Sequence, residues 1–130
     1  MRNKEIDHWL QNSSCKFWIL LAVTAVLVLK TSAQTPTLGT YSNSTAAVGA
    51  NTTVTPTAAP TGATRINVSA TTNFKGSFVA NPATGVVRVT DANPAGSYLV
   101  TIKGFDNVGN SAIRTFTLTV TKRPVTMPAS

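Results

Sequence analysis

The sequence predicts an all-β protein, an antiparallel sandwich or barrel of about seven strands preceded by an N-terminal signal helix. Three observations predict it. Beyond residue 46, apolar residues recur with a period of two, and no stretch holds the i, i+3, i+4, i+7 spacing of a helix. The same region is rich in β-branched residues, whose stiff χ1 suits a pleated face. Clusters of Pro, Gly, Asn and Asp break the alternation about every 8–12 residues, the punctuation of short strands joined by turns.

The elements follow in order. Val48 and Val54 are weak apolar anchors for the earliest strands. Ile66 and Val68 then alternate with Arg65, Asn67 and Ser69, and Phe74 and Phe78 share parity across Gly76. Val87 and Val89 flank Arg88. Tyr98, Val100 and Ile102 alternate with Leu99, Thr101 and Lys103. Phe116, Leu118 and Val120 alternate with Thr115, Thr117, Thr119 and Thr121. Turn signals lie at 57–62, 81–85, 93–96 and 106–110, where Pro fixes φ, Gly supplies positive φ and Asn or Asp closes the turn. The predicted sandwich spans 47–121. Residues 34–46 read as a leader able to add an edge strand, and 122–130, with Pro124 and Pro128, as a linker or tail.

Ahead of the leader, residues 17–29 form an uncharged run of 13 residues with a single hydroxyl. That length falls within the roughly 7–15 residues of a signal-peptide apolar region and short of the about 20 that span a bilayer. Arg2, Lys4 and Lys16 precede it, and Thr31-Ser32-Ala33 offers small residues for cleavage before Gln34. Residues 1–33 therefore read as a signal peptide, which places the protein outside the cell or in its envelope. Glu5, Asp7 and Lys30 depart from the pattern, and the alternative is an uncleaved signal anchor holding a single-pass, membrane-anchored protein. Cys15 lies before the apolar run rather than after it, which excludes a lipoprotein acylation site.

Composition excludes several classes of chemistry. The 130 residues hold 11 Lys and Arg against 4 Asp and Glu, a net charge of +7, with one Cys and one His. A lone Cys excludes an internal disulfide framework and a thiolate zinc site. The only His is His8, remote from any candidate nucleophile in the sandwich. Glu5 and Asp7 belong to the signal, so an enzyme is not expected. From residue 34 onward, Arg65, Lys75, Arg88, Lys103, Arg114, Lys122 and Arg123 face only Asp91 and Asp106, a net of +5.

The runs Asn-Pro-Ala-Thr-Gly-Val at 81–86, Pro-Ala-Gly-Ser-Tyr-Leu-Val-Thr-Ile-Lys-Gly-Phe-Asp-Asn-Val-Gly-Asn-Ser-Ala at 94–112 and Arg-Thr-Phe-Thr-Leu-Thr-Val at 114–120 carry a resemblance. Together they resemble the cadherin-like, Ig-like β-sandwich domains of bacterial secreted and cell-surface proteins. Such domains are found beside FG-GAP or VCBS repeats, which this chain lacks. The resemblance implies a non-catalytic extracellular or envelope module with a structural or adhesion role. Its partner would be an envelope polymer or another surface-protein domain. It also places Tyr98 at a tyrosine corner, with its hydroxyl bonded to backbone near Asn93. Val100 stands where an immunoglobulin domain carries its second Cys, so the fold is not pinned by a disulfide.

Calcium is the cofactor such domains bring into question, and it wants six to eight oxygens. Asp106, Asn107 and Asn110 offer one set and Asp91 with Asn93 another. Joining them requires both loops at one end of the sandwich. The same residues equally close turns, and no other cofactor is expected. The alternative function is thus a small ligand-binding module, for calcium or an anionic glycan, acting through the 91–93 and 106–110 loops. The sequence pI of about 10.2 raises the question of a polyanion. Arg65, Lys75, Arg88 and Lys103 fall in strand-like runs and would line one solvent face. Spread singly and without interleaved exposed aromatics, they argue against nucleic acid. Membrane contact is expected only through an uncleaved 17–29 segment. A sugar platform has little to build on, since no Trp follows residue 33 and the only Tyr are Tyr41 and Tyr98. Asn43, Asn51 and Asn67 begin glycosylation sequons. The Thr115–Thr121 row suits cross-strand pairing, and regular Thr rows also template ice or glycan binding.

Overall fold

The computed structural model describes residues 34–130. The signal segment expected at 1–33 lies outside the described residues. Seven strands form: β1 (Ser44–Ala47), β2 (Thr52–Val54), β3 (Arg65–Ala70), β4 (Ser77–Ala80), β5 (Val87–Thr90), β6 (Gly96–Phe105) and β7 (Ser111–Thr121). One sheet has the order β1-β7-β6-β3 and the other β2-β5-β4. All pairs are antiparallel except β1 with β7, which is parallel, with Ser44 opposite Leu118 and Ala47 opposite Thr121. The parallel pair departs from the purely antiparallel expectation because β1 does not come from a hairpin. It is laid along β7 by a segment that enters from the far end.

Two poles organise the molecule. β6 rises from the 91–95 connection, here the corner pole, to the 106–110 turn, here the hairpin pole. At about 3.3 Å per residue its ten residues span about 30 Å. Among the described residues, the chain first bonds to the sandwich at the hairpin pole, where the Thr37 N–H donates to Thr61 O and the Thr61 N–H returns the bond. It leaves β7 at the corner pole.

The inward faces carry the alternating residues read from the sequence. Val87, Val89, Val100, Ile102 and Leu118 are fully buried, with Tyr98, Phe116 and Val120 beside them. Each such side chain contributes roughly 1.5–3 kcal/mol by leaving water. The leader adds the expected edge strand and also fills the core. Leu38, Tyr41 and Ala46 are all buried. Leu38 lies on Gly104, where a Cβ would sit 2.9 Å from its Cδ2, so the central strand is narrowed to receive it. Tyr41 stacks on Phe116 at 6.0 Å between ring centres and donates its hydroxyl to Gly85 O at 2.6 Å. Gly85 adopts φ +75°, and a Cβ there would meet the Pro56 and Pro60 rings at 2.9 Å. No other residue fits that turn without strain.

Candidate functional site

The corner pole is built by backbone. The Gly49 N–H donates to Ala92 O, the Ala92 N–H to Ala50 O, and the Lys75 N–H to Asn93 O. The Asp91 N–H donates to Asn51 Oδ1, and Asn93 Nδ2 donates to Asp91 O. Asp91 sits at φ +51°, a conformation that Asp tolerates better than most residues. Tyr98 completes the corner. Its buried ring meets Phe74 edge-on at 5.0 Å, and its hydroxyl donates to Pro94 O at 2.8 Å. This is the tyrosine corner the resemblance implied, one residue from the expected partner. Asp91 therefore ties the end of β5 to the start of β2 in one sheet, and Asn93 closes the connection that leads from β5 to β6.

The hairpin pole is self-contained. Asp106 Oδ1 accepts from the Val108 and Asn110 N–H groups at 2.9 and 2.8 Å, and Asp106 Oδ2 accepts from Asn110 Nδ2 at 2.7 Å. Partial burial raises its pKa. The bonds from the Asn110 side chain and the Val108, Asn110 and Gly109 amides outweigh that and hold the carboxyl below the ordinary carboxylate range. Both Asp106 oxygens already serve the turn, and Asn107 is simply exposed within it.

The structure thus brings Asp106 and Asn110 together, and Asp91 and Asn93 together, but not the two sets. They stand at opposite ends of β6, about 30 Å apart by strand length. The joint site expected from both loops does not form, because an odd number of strand crossings separates them. Among the described residues, no group of three or more His, Cys, Asp and Glu converges.

The basic residues also divide differently from expectation. Arg65 and Lys103 share the outer face of the four-stranded sheet, where Arg65 lies opposite Phe105 and Lys103 opposite Asn67. Arg88 lies on the three-stranded sheet, paired with Thr53 and Val79. Lys75 is in the β3–β4 connection, where its N–H donates to Asn93 O rather than to a ladder partner. Phe105 escaped the sequence reading, although it shares the outward parity of Leu99, Thr101 and Lys103. The Arg65 guanidinium stands 4.5 Å from its ring centre and the Lys103 ammonium 5.1 Å. The four Thr of β7 do face outward, and Thr115 and Thr117 lie opposite Thr101 and Leu99.

No family model matches the chain, and no curated protein matches it. Among solved structures, it is similar to a chimeric titin Z1Z2 carrying an exogenous decorin peptide. The TM-score is 0.51 and the identity 14%, over 69% of this chain and 97% of that one. The titin M3 domain gives a TM-score of 0.50 at 11% identity, over 68% and 98%. The first Ig-like domain of human CD48 gives 0.46 at 17%, over 75% and 96%. At these identities the two titin likenesses are ones of fold, and the fold is an Ig-like β-sandwich.

Proposed function

We propose that this chain is an exported, non-catalytic Ig-like module with a structural and adhesive role, of the bacterial secreted or cell-surface kind that residues 81–120 resemble. The observation that carries this reading is the path of the chain between the poles. Among the described residues it is first bonded at the hairpin pole through Thr37 and leaves β7 at the corner pole, with β1 and β7 side by side and pointing the same way. Tension between the poles draws β1 one way and β7 the other. Their hydrogen bonds are then loaded together, in shear, rather than broken one by one. A sandwich wired in this way suits a spacer that holds other things apart or together. The signal-like 1–33 segment supports export, and the net basic surface suits an envelope polymer or another surface domain as partner.

The intact mass of the native protein, with the cell fraction it comes from, tests the reading. A species starting at Gln34 in the medium or envelope supports a free module. A membrane-bound species keeping Met1 supports a tethered ectodomain. A cytoplasmic species keeping Met1 overturns export.

A further inference from the structure

We infer that the outer face of the four-stranded sheet is a docking surface for an acidic polysaccharide, with Arg65 and Lys103 taking its sulfate or carboxylate and the neighbouring hydroxyl row its sugar. The inference deepens the adhesive reading by naming a partner and the residues that take it, and it moves the contact from the loops to a sheet face.

The charge pattern comes first. Arg65 and Lys103 lie on adjacent strands, and both stand over one Phe105 ring, so their charged groups lie within about 10 Å of each other. The ring's negative faces hold two like charges that would otherwise spread apart. No Asp or Glu lies on β3, β6 or β7, and the nearest acid in sequence, Asp106, spends its carboxylate on the hairpin. Two fixed cations with no carboxylate on their own strands are a receptor for an anion. The guanidinium adds a fork that matches a sulfate or carboxylate.

The surroundings choose the polymer. Next to the cations, Ser69, Thr101 and Thr115 stand in one row across three strands, with Asn67 beside Lys103. Neighbours in such a row are about 4.8 Å apart, and successive rows about 6.7 Å apart. That grid of short donors and acceptors is suited to sugar hydroxyls. A single-stranded nucleic acid would ask for open stacking platforms, and the one aromatic on this face is covered by its cations. An acidic peptide would ask for a free edge or groove, whereas this surface is a broad flat face. A membrane would ask for a larger apolar area than Leu99 and Ile113 provide.

The test uses the full chain and measures affinity for dextran sulfate, with neutral dextran as its uncharged twin. Arg65→Gln/Lys103→Gln should weaken binding about tenfold or more. Lys122→Gln/Arg123→Gln removes the same charge at the corner pole and should cost no more than about twofold at moderate salt. Phe105→Leu should fall between, since the cations remain but lose the ring that gathers them. Near-native melting temperatures separate these effects from misfolding. Equal losses from the two double variants would reduce the binding to net charge and overturn the proposal. So would equal retention on neutral dextran, or stronger competition by duplex DNA or anionic vesicles at matched charge. Binding is read on purified protein, so its failure leaves the export reading standing, and the reverse also holds.

Discussion

The two tyrosines of residues 34–130 do the same job in two different regions. Tyr98 sits in the core and caps a backbone carbonyl four residues back, at the corner pole. Tyr41 sits in the core and caps the carbonyl of Gly85, 44 residues on, in the turn at the hairpin pole. The first tie is local and closes one connection. The second is long-range and fastens the leader to the turn between β4 and β5. A residue type in a core is thus readable from sequence when its partner is near, and unreadable when the partner comes from a distant turn.

Removing either ring gives the largest effect. Tyr41→Ala and Tyr98→Ala should each cost about 3–5 kcal/mol, measured by denaturant unfolding, a large part of the about 5–15 kcal/mol available to a domain of this size. If Tyr41→Ala costs much less, the leader is an appendage and the comparison breaks. Removing only the hydroxyls sharpens it. Tyr41→Phe and Tyr98→Phe should cost about 0.5–1.5 kcal/mol each. Tyr41→Phe should cost the more, because its bond is buried and water cannot replace it, while that of Tyr98 is only partly buried.

Smaller effects appear with pH. Burial pushes the Tyr41 hydroxyl above the ordinary tyrosine range. Its contribution is therefore complete below about pH 10 and is lost as pH rises through the folded value. Thermal melts across that limb should steepen for the wild type and flatten in Tyr41→Phe. The smallest effect belongs to the hairpin pole. Asp106 is held below the ordinary carboxylate range, so its contribution is present above about pH 4 and fades as pH falls through the lower folded value. Asp106→Asn should lower the neutral melting temperature slightly and flatten the acid limb, the two proteins converging at low pH, since an amide cannot accept the Asn110 Nδ2 bond as the carboxylate does.

Most of the sandwich was legible because the inward positions alternate through β5, through β6 from Tyr98 to Ile102 and through β7 from Phe116 to Val120, and because Asn81–Gly85 and Asp106–Asn110 are turns by chemistry alone. The tyrosine corner came from the resemblance carried by residues 94–112, which placed the bond within one residue of its partner, Pro94 O. The role of the leader was not. Leu38 and Tyr41 have no periodic neighbours, and what fixes them is a narrow place at Gly104 and a turn at Gly85, both far along the chain. The candidate loops were legible. Asp106 with Asn110, and Asp91 with Asn93, each closed a local structure as their types allow. That the two loops stand apart was legible too, since a single alternating run, Tyr98 to Lys103, separates them and one strand puts its flanking loops at opposite ends. Phe105 was missed for a different reason. Its parity was plain, but the value of an outward aromatic appears only when Arg65 is placed opposite it.

In the proposed spacer, load between the poles runs through the parallel β1–β7 pair. Single-molecule pulling on the 34–130 module, with handles at its two ends, tests it most directly. The Val48 N–H donates to Thr121 O at 2.9 Å at the end of that ladder, and Val48→Pro removes the donor. The account predicts one cooperative rupture of the native module, at a force that Val48→Pro lowers clearly. A leader that peels away first at low force, or a rupture force indifferent to Val48→Pro, would contradict it.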